Sequence, residues 1–97
     1  MGKIIWSPTA YEDVDLIAEY IARDSVDRAA LFVIRLMEKV DYLLLSYPKS
    51  GRKIPEINDE SWRELLYGAY RVMYRVKDNG DVYITGVIHG SKDWKYK

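Results

Sequence analysis

Two stretches of the chain repeat their apolar residues at helical spacing, and two later stretches repeat them at strand spacing. Ala10, Val14, Ile17, Ala18 and Ile21 recur every three or four residues and form one stripe. Ser7-Pro8 stands just before them; serine suits an N-cap and proline the first helical position. A helix is therefore predicted from about Pro8 to about Arg23, with Glu12, Asp13 and Asp15 favouring its positive end. Asp24-Ser25 breaks and recaps the chain. Ala29, Phe32, Val33, Leu36, Met37, Val40, Leu43 and Leu44 then form a second, wider stripe, and a second helix is predicted from about Val26 to about Ser46. So short a break implies an antiparallel helix hairpin. Ala22, Ala30, Leu31, Ile34 and Leu45 lie off both stripes, and leftover apolar surface of this kind marks a partner site.

Outside the helices the pattern is β. Lys3-Ile4-Ile5-Trp6 is a short strand-prone run. Residues 47–61 carry Pro48, Gly51, Pro55 and Asn58 and read as a loop. From Trp62 the period changes: Arg63–Tyr67 is a plausible strand, Tyr70–Lys77 a strong one, Asp78-Asn79-Gly80-Asp81 a hairpin turn, and Val82–Ile88 another strand. The predicted order is β-α-α-β-β-β. It describes an α+β fold, a helix hairpin on one face of a mainly antiparallel sheet, in a single domain over residues 1–97.

Composition narrows the chemistry. The chain has 97 residues, 48% of them hydrophobic and 31% charged, which is globular rather than disordered. Fifteen basic and fifteen acidic groups cancel, so no long-range pull on nucleic acid is expected. The charges are unevenly placed: residues 1–48 hold five basic and eight acidic groups, residues 49–97 ten basic and seven acidic. No cysteine is present, which excludes disulfides and thiolate catalysis, and a lone histidine argues against a protein-only zinc site. No cofactor is expected. Nothing approaches a membrane span or a signal peptide, so the expectation is a cytoplasmic protein with no membrane partner.

The candidate chemistry is basic. Alternation puts Tyr70, Val72, Tyr74 and Val76 on one face, to pack on the hairpin, and Arg71, Met73, Arg75 and Lys77 on the other, which is expected to be basic and partly wet. On chemistry alone this is a solvated face whose arginines pair with neighbours such as Glu64. The alternative is an anion site, because a guanidinium fork on a rigid strand suits phosphate or carboxylate. An arginine in that role is dispensable for folding. Lys49-Ser50-Gly51-Arg52-Lys53 gathers three positive charges, most simply a solvated loop and otherwise a contact for phosphate or an acidic partner. His89 follows the last strand and could act as a general acid or base. Lys92, Trp94, Lys95 and Tyr96 form a basic-aromatic tail of a kind suited to base stacking, although terminal aromatics more often pack back onto the domain.

Taken in order, these pieces resemble the ParE/RelE superfamily of type II toxin–antitoxin toxins. The resemblance rests on Trp6-Ser7-Pro8-x-Ala10, Tyr20-Ile21-Ala22 with Asp24-Ser25, Pro48-x-x-Gly51-Arg52-x-x-Pro55-Glu56, Arg63-Glu64-Leu65, Tyr70-Arg71-Val72-x-Tyr74-Arg75-Val76 and Val87-x-His89-Gly90-Ser91-Lys92-Asp93. The Gly51–Glu56 and His89-Gly90-Ser91 pieces look more like ParE. That implies a growth-inhibiting toxin, of the kind linked to plasmid stabilisation, that acts on DNA gyrase and is neutralised by a small antitoxin. Arg52, Lys53, Arg63, Arg71, Arg75 and Lys92 would be its target-binding residues. The alternative implied by the resemblance is a RelE-like ribosome-dependent mRNA endoribonuclease with Arg71, His89 and Lys92 as catalytic groups and Tyr96 near a terminal catalytic tyrosine. Zero net charge and the lack of a helix-borne lysine cluster weigh against that alternative.

Overall fold

The computed structural model describes residues 2–91. Strand β1 (Ile4–Trp6) leads into helices α1 (Pro8–Ala22) and α2 (Val26–Ser46), followed by β2 (Arg52–Lys53), β3 (Trp62–Tyr67), β4 (Tyr70–Val76) and β5 (Val82–His89). The strands form one sheet in the order β1-β5-β4-β3-β2; β1 runs parallel to β5 and every other pair is antiparallel. The α+β architecture and element order agree with the sequence expectation. Both helices begin at their predicted caps: Ser7 Oγ accepts from the Ala10 N–H at 3.0 Å, and Ser25 Oγ from the Arg28 N–H at 3.2 Å.

One face of the sheet carries the core. Ala10 and Val14 of α1, Leu36, Val40 and Leu44 of α2, Val72 and Tyr74 of β4, and Val82, Ile84 and Val87 of β5 are buried together with Trp6. The spacing from Ile84 to Val87 breaks strict alternation because β5 bulges there. Met73 pairs with Gly86 but Tyr74 pairs with Ile84, so Thr85 is the additional residue. The bulge lets Ile84 and Val87 both face the helices.

Asp13 explains how the bulged strand is satisfied. It does not serve the first turn of α1, as its position in the sequence suggested; that turn holds no acidic residue. Its Oδ2 instead accepts the Val87 N–H at 2.9 Å, on the edge of β5 beyond the end of β1. Burial holds the Asp13 carboxyl above the usual carboxylate range, against the Val87 hydrogen bond, which lowers it.

One further expectation changes. Residues 47–61 are not wholly loop: Arg52 and Lys53 pair with Glu64 and Arg63 as the two-residue edge strand β2, and Ile54 beside them is fully buried. Proline and glycine content masked a strand this short. The second face of β4 is partly wet, as expected: Met73 is 0% exposed and Arg71 only 5%, while Arg75 and Lys77 are half-buried.

The Asp13 geometry predicts a pH signature. A folded-state pKa raised above the ordinary 3.8 means that the folded chain keeps a proton the unfolded chain has released. The contribution of this group to stability therefore falls as pH rises above about 3.8 and levels off once the raised value is passed. Asp13→Asn keeps an acceptor for Val87 and removes the titration. In urea denaturation from pH 3 to pH 7, about the span of this titration, the variant should gain stability relative to wild type as pH rises. A difference that stays flat with pH would contradict this.

Candidate functional site

The open face of the sheet, opposite the helices, holds most of the predicted site residues. Cross-strand partners share a face, so the register sorts them. Arg52 of β2, Glu64 of β3 and Met73 of β4 stand in one row; Leu66, Arg71 and Ile88 stand in the next. The segment after β2 folds back over these two rows and brings Glu56 onto Arg71.

Arg71 is held from two sides. Its Nε donates to Glu64 Oε1 at 2.6 Å, while Nη1 and Nη2 donate to the two oxygens of Glu56 at 2.9 and 2.7 Å. The Glu56 contact is a bidentate fork, the strongest geometry for this pair. The second oxygen of Glu64 accepts from Arg52 Nε. The Glu64 side chain is fully buried, and Arg71 keeps 7% of its side chain exposed. The Glu56 hydrogen bonds push the arginine pKa upward first, and Glu64 adds to them against the effect of burial. Arg71 is thus a buried ion-pair residue rather than an exposed one, which makes it a candidate for a structural role. The sequence placed Glu64 beside it correctly but could not show that Glu56 would close over the pair.

The same clasp accounts for Gly51. A Cβ there would lie 2.4 Å from the Glu64 carbonyl oxygen and 2.6 Å from the Tyr74 hydroxyl, so only glycine allows this approach. The Gly51 N–H donates to the Tyr74 hydroxyl at 2.9 Å, and Arg63 Nη1 donates to the Gly51 carbonyl at 2.8 Å. Burial raises the Tyr74 pKa.

The remaining predicted residues scatter. Lys53 and Arg63 pair with each other across β2 and β3, on the face opposite Arg52 and Arg71. Both meet Glu60, at 3.5 and 2.8 Å. Arg75 lies on the open face, with its guanidinium 5.4 Å from the centre of the Trp62 ring. His89 pairs with Tyr70, which faces the core, and the two rings meet edge to face at 5.7 Å. Its Nδ1 accepts the Ser91 N–H at 3.1 Å. Arg71 and His89 therefore stand on opposite faces of the sheet and do not converge on one substrate. Lys92, Trp94, Lys95 and Tyr96 lie outside the described residues.

Among the described residues no group of acidic, histidine or cysteine side chains could hold a metal ion. A cavity of about 870 Å³ opens between Tyr47, Ser50, Ser61 and the turn at Asp78. It contains none of the predicted site residues, and its charges, Lys49 and Lys77 against Glu60 and Asp78, are balanced.

The fold is that of toxin–antitoxin structures. It matches a chain of the chromosomal ParDE system from P. aeruginosa with a TM-score of 0.74 at 22% identity, covering 92% of this chain and 96% of that one. It also matches a chain of the RelBE2 toxin–antitoxin complex from Mycobacterium tuberculosis, with a TM-score of 0.55 at 19% identity, covering 91% and 96%. Sequence carries the assignment further. The Sinorhizobium fredii protein Y4kP, which bears the name of a toxin, is 36% identical over 94 residues, covering 95% of this chain and 92% of that protein. The model of the ParE toxin of the type II toxin–antitoxin system parDE matches residues 4–94. The chain belongs to this ParE toxin family.

The clasp predicts a specific energetic pattern. Glu64→Ala strands two guanidinium groups, one of them buried, and should cost ~3–5 kcal/mol. Arg71→Ala should cost about as much, by leaving Glu64 buried without its main partner. The double variant Glu64→Leu/Arg71→Met should lose clearly less than the sum, because no buried charge is left unpaired. Urea denaturation of the four chains reads this directly, and additive losses would show the pair to be uncoupled.

Proposed function

We propose that this chain is a growth-inhibiting ParE-type toxin that acts on DNA gyrase and is neutralised by a small antitoxin encoded beside it. The match to the ParE family along nearly the whole chain carries the reading. The geometry favours it over ribonuclease action, since Arg71 is engaged by two carboxylates and His89 lies on the other face of the sheet.

The antitoxin has a suitable seat on the helices. The core stripe of α2 is turned toward the sheet, yet Leu31, Ile34, Tyr42 and Leu45 lie on its opposite side and are 46–69% exposed. Leu16 and Tyr20 of α1 are exposed as well. A shallow cleft of about 390 Å³ runs between the helices, lined by Ala18, Ala22, Ala29, Ala30 and Val33. Small residues there admit a close-packed backbone, and the flanking apolar side chains supply anchors. An antitoxin segment ordering on this surface would bury over ~1,000 Å².

Expression of the chain alone should arrest growth and block division or damage DNA while mRNA stays intact, and purified gyrase should lose supercoiling activity in its presence. Co-expression with the neighbouring gene product should restore growth and yield a complex by pull-down. Leu31→Glu with Leu45→Glu should weaken that complex without unfolding the toxin. Codon-position cleavage of mRNA on translating ribosomes would replace the gyrase reading with the ribonuclease alternative.

A further inference from the structure

A second seam runs along α2, on the side turned away from the sheet. Leu31, Ile34, Glu38, Asp41 and Leu45 follow one another at alternating steps of three and four residues, the spacing that keeps side chains on one side of a helix. Leu36, Val40 and Leu44 occupy the other side and are buried in the core. Leu31, Ile34 and Leu45 are each about half exposed. Asp41 stands at the margin of the seam, where its Oδ1 accepts from Trp6 Nε1 at 3.2 Å. Glu38, at the centre, is exposed, and no hydrogen bond or ion pair among the described residues engages it. Its place in the helix supplies no role either. It lies far from both ends of α2, and Ile34 and Tyr42, four residues to either side, carry no charge. Arg28 and Arg35, both exposed and seven residues apart, run along one edge of the seam.

We propose that this seam receives a helical segment of the antitoxin, and that Glu38 selects the segment by requiring a lysine or arginine opposite it. The proposal rests on the toxin reading above and names the partner's chemistry at the surface assigned there. A helix is the shape that fits, because an apolar seam repeating by three and four is matched by another helix with the same repeat. From Leu31 to Leu45 the seam is about 21 Å long, so about four turns of helix cover it. A second copy of this chain is the poorer occupant. Glu38 lies midway between Leu31 and Leu45, so full overlap of two such seams, parallel or antiparallel, sets Glu38 against Glu38. Two carboxylates desolvated together repel, and both stay unpaired. A cation on the partner removes that cost, and acidic groups along the partner's edge meet Arg28 and Arg35. A single charged residue inside an otherwise apolar seam fixes register and partner choice at some cost in affinity.

The test uses the full chain as wild type, Glu38→Lys and Leu31→Glu. The probes are the neighbouring gene product and a pair of synthetic helical peptides that share one leucine seam and differ only in carrying lysine or glutamate at its centre. Wild type should bind the lysine peptide ~10-fold or more tightly than the glutamate peptide, with the gap closing as salt rises. Glu38→Lys should reverse that order and weaken binding of the neighbouring gene product by a similar factor. Leu31→Glu should bind both peptides less well. Melting of each variant should stay near wild type, since the exchanged side chains are exposed. Equal binding of the two peptides by wild type overturns the role of Glu38, and so does a neighbouring gene product indifferent to Glu38→Lys. A wild-type chain that binds neither peptide overturns the seam as a helix site. A wild-type chain that dimerises, and that Leu31→Glu makes monomeric, gives the seam to a second copy and overturns the choice of occupant. A neighbouring gene product that binds no form of the chain overturns the antitoxin reading, while the peptides still decide the chemistry of the seam.

Discussion

The buried pairing of Arg71 with Glu64 is the constraint around which the sheet side of this molecule is arranged. A carboxylate with no exposed surface is tolerable only when its charge and lone pairs are matched. Glu64 meets that demand with Arg71 on one oxygen and Arg52 on the other. Both terminal nitrogens of Arg71 then each donate to one oxygen of Glu56. The four groups sum to zero charge. Each member requires the next, so the fold of residues 51–56 follows from the ionic requirement of two strand residues. Gly51 permits the close approach, Arg52 reaches Glu64 from the edge strand, and the turn at Pro55 delivers Glu56. The Gly51-Arg52-x-x-Pro55-Glu56 spacing is in this sense a structural clasp whose other half is Glu64 and Arg71. Tyr74 joins it to the core, since its ring is buried under the helices while its hydroxyl accepts the Gly51 N–H.

This arrangement alters what the basic residues can do. An arginine that satisfies two carboxylates is not available to a phosphate without breaking a buried network, and that is costly. The predicted target-binding set is also divided by the pleat. Arg52, Arg71 and Arg75 face away from the helices, whereas Lys53 and Arg63 lie on the other side and converge on Glu60. A set of cations chosen by residue type alone therefore has no common surface. Arg75 on the open face is stacked on Trp62 rather than paired with a carboxylate.

The parts legible in the sequence were those with local causes. Serine caps, a two-residue break and apolar residues at helical spacing placed α1 and α2 almost to the residue, because a helix closes its hydrogen bonds within itself. Period-two alternation correctly assigned Tyr70, Val72, Tyr74 and Val76 to the helix-facing side. It could not say what would lie over Arg71 and Met73, because alternation defines two faces but not what covers them. The loop closing on that face is remote in sequence, and its Pro and Gly content gave no sign of β2 or of the buried Ile54. Asp13 shows the same limit. Its place in α1 suggested a helix-end role, yet its partner is Val87 of β5, 74 positions away.

The zero net charge acquires a physical meaning in this setting. Much of the positive end of the chain, Arg52, Arg63 and Arg71 in particular, is spent internally on Glu56, Glu60 and Glu64. The field that reaches solvent from this half is correspondingly weaker than its count of ten basic groups implies. A molecule built this way gains little from long-range steering toward polyanions and must rely on short-range contact for selectivity. Its exposed apolar residues are placed for such contact on the outer side of the helix hairpin, where Leu31, Ile34, Tyr42 and Leu45 stand clear of the core stripe that packs on the sheet.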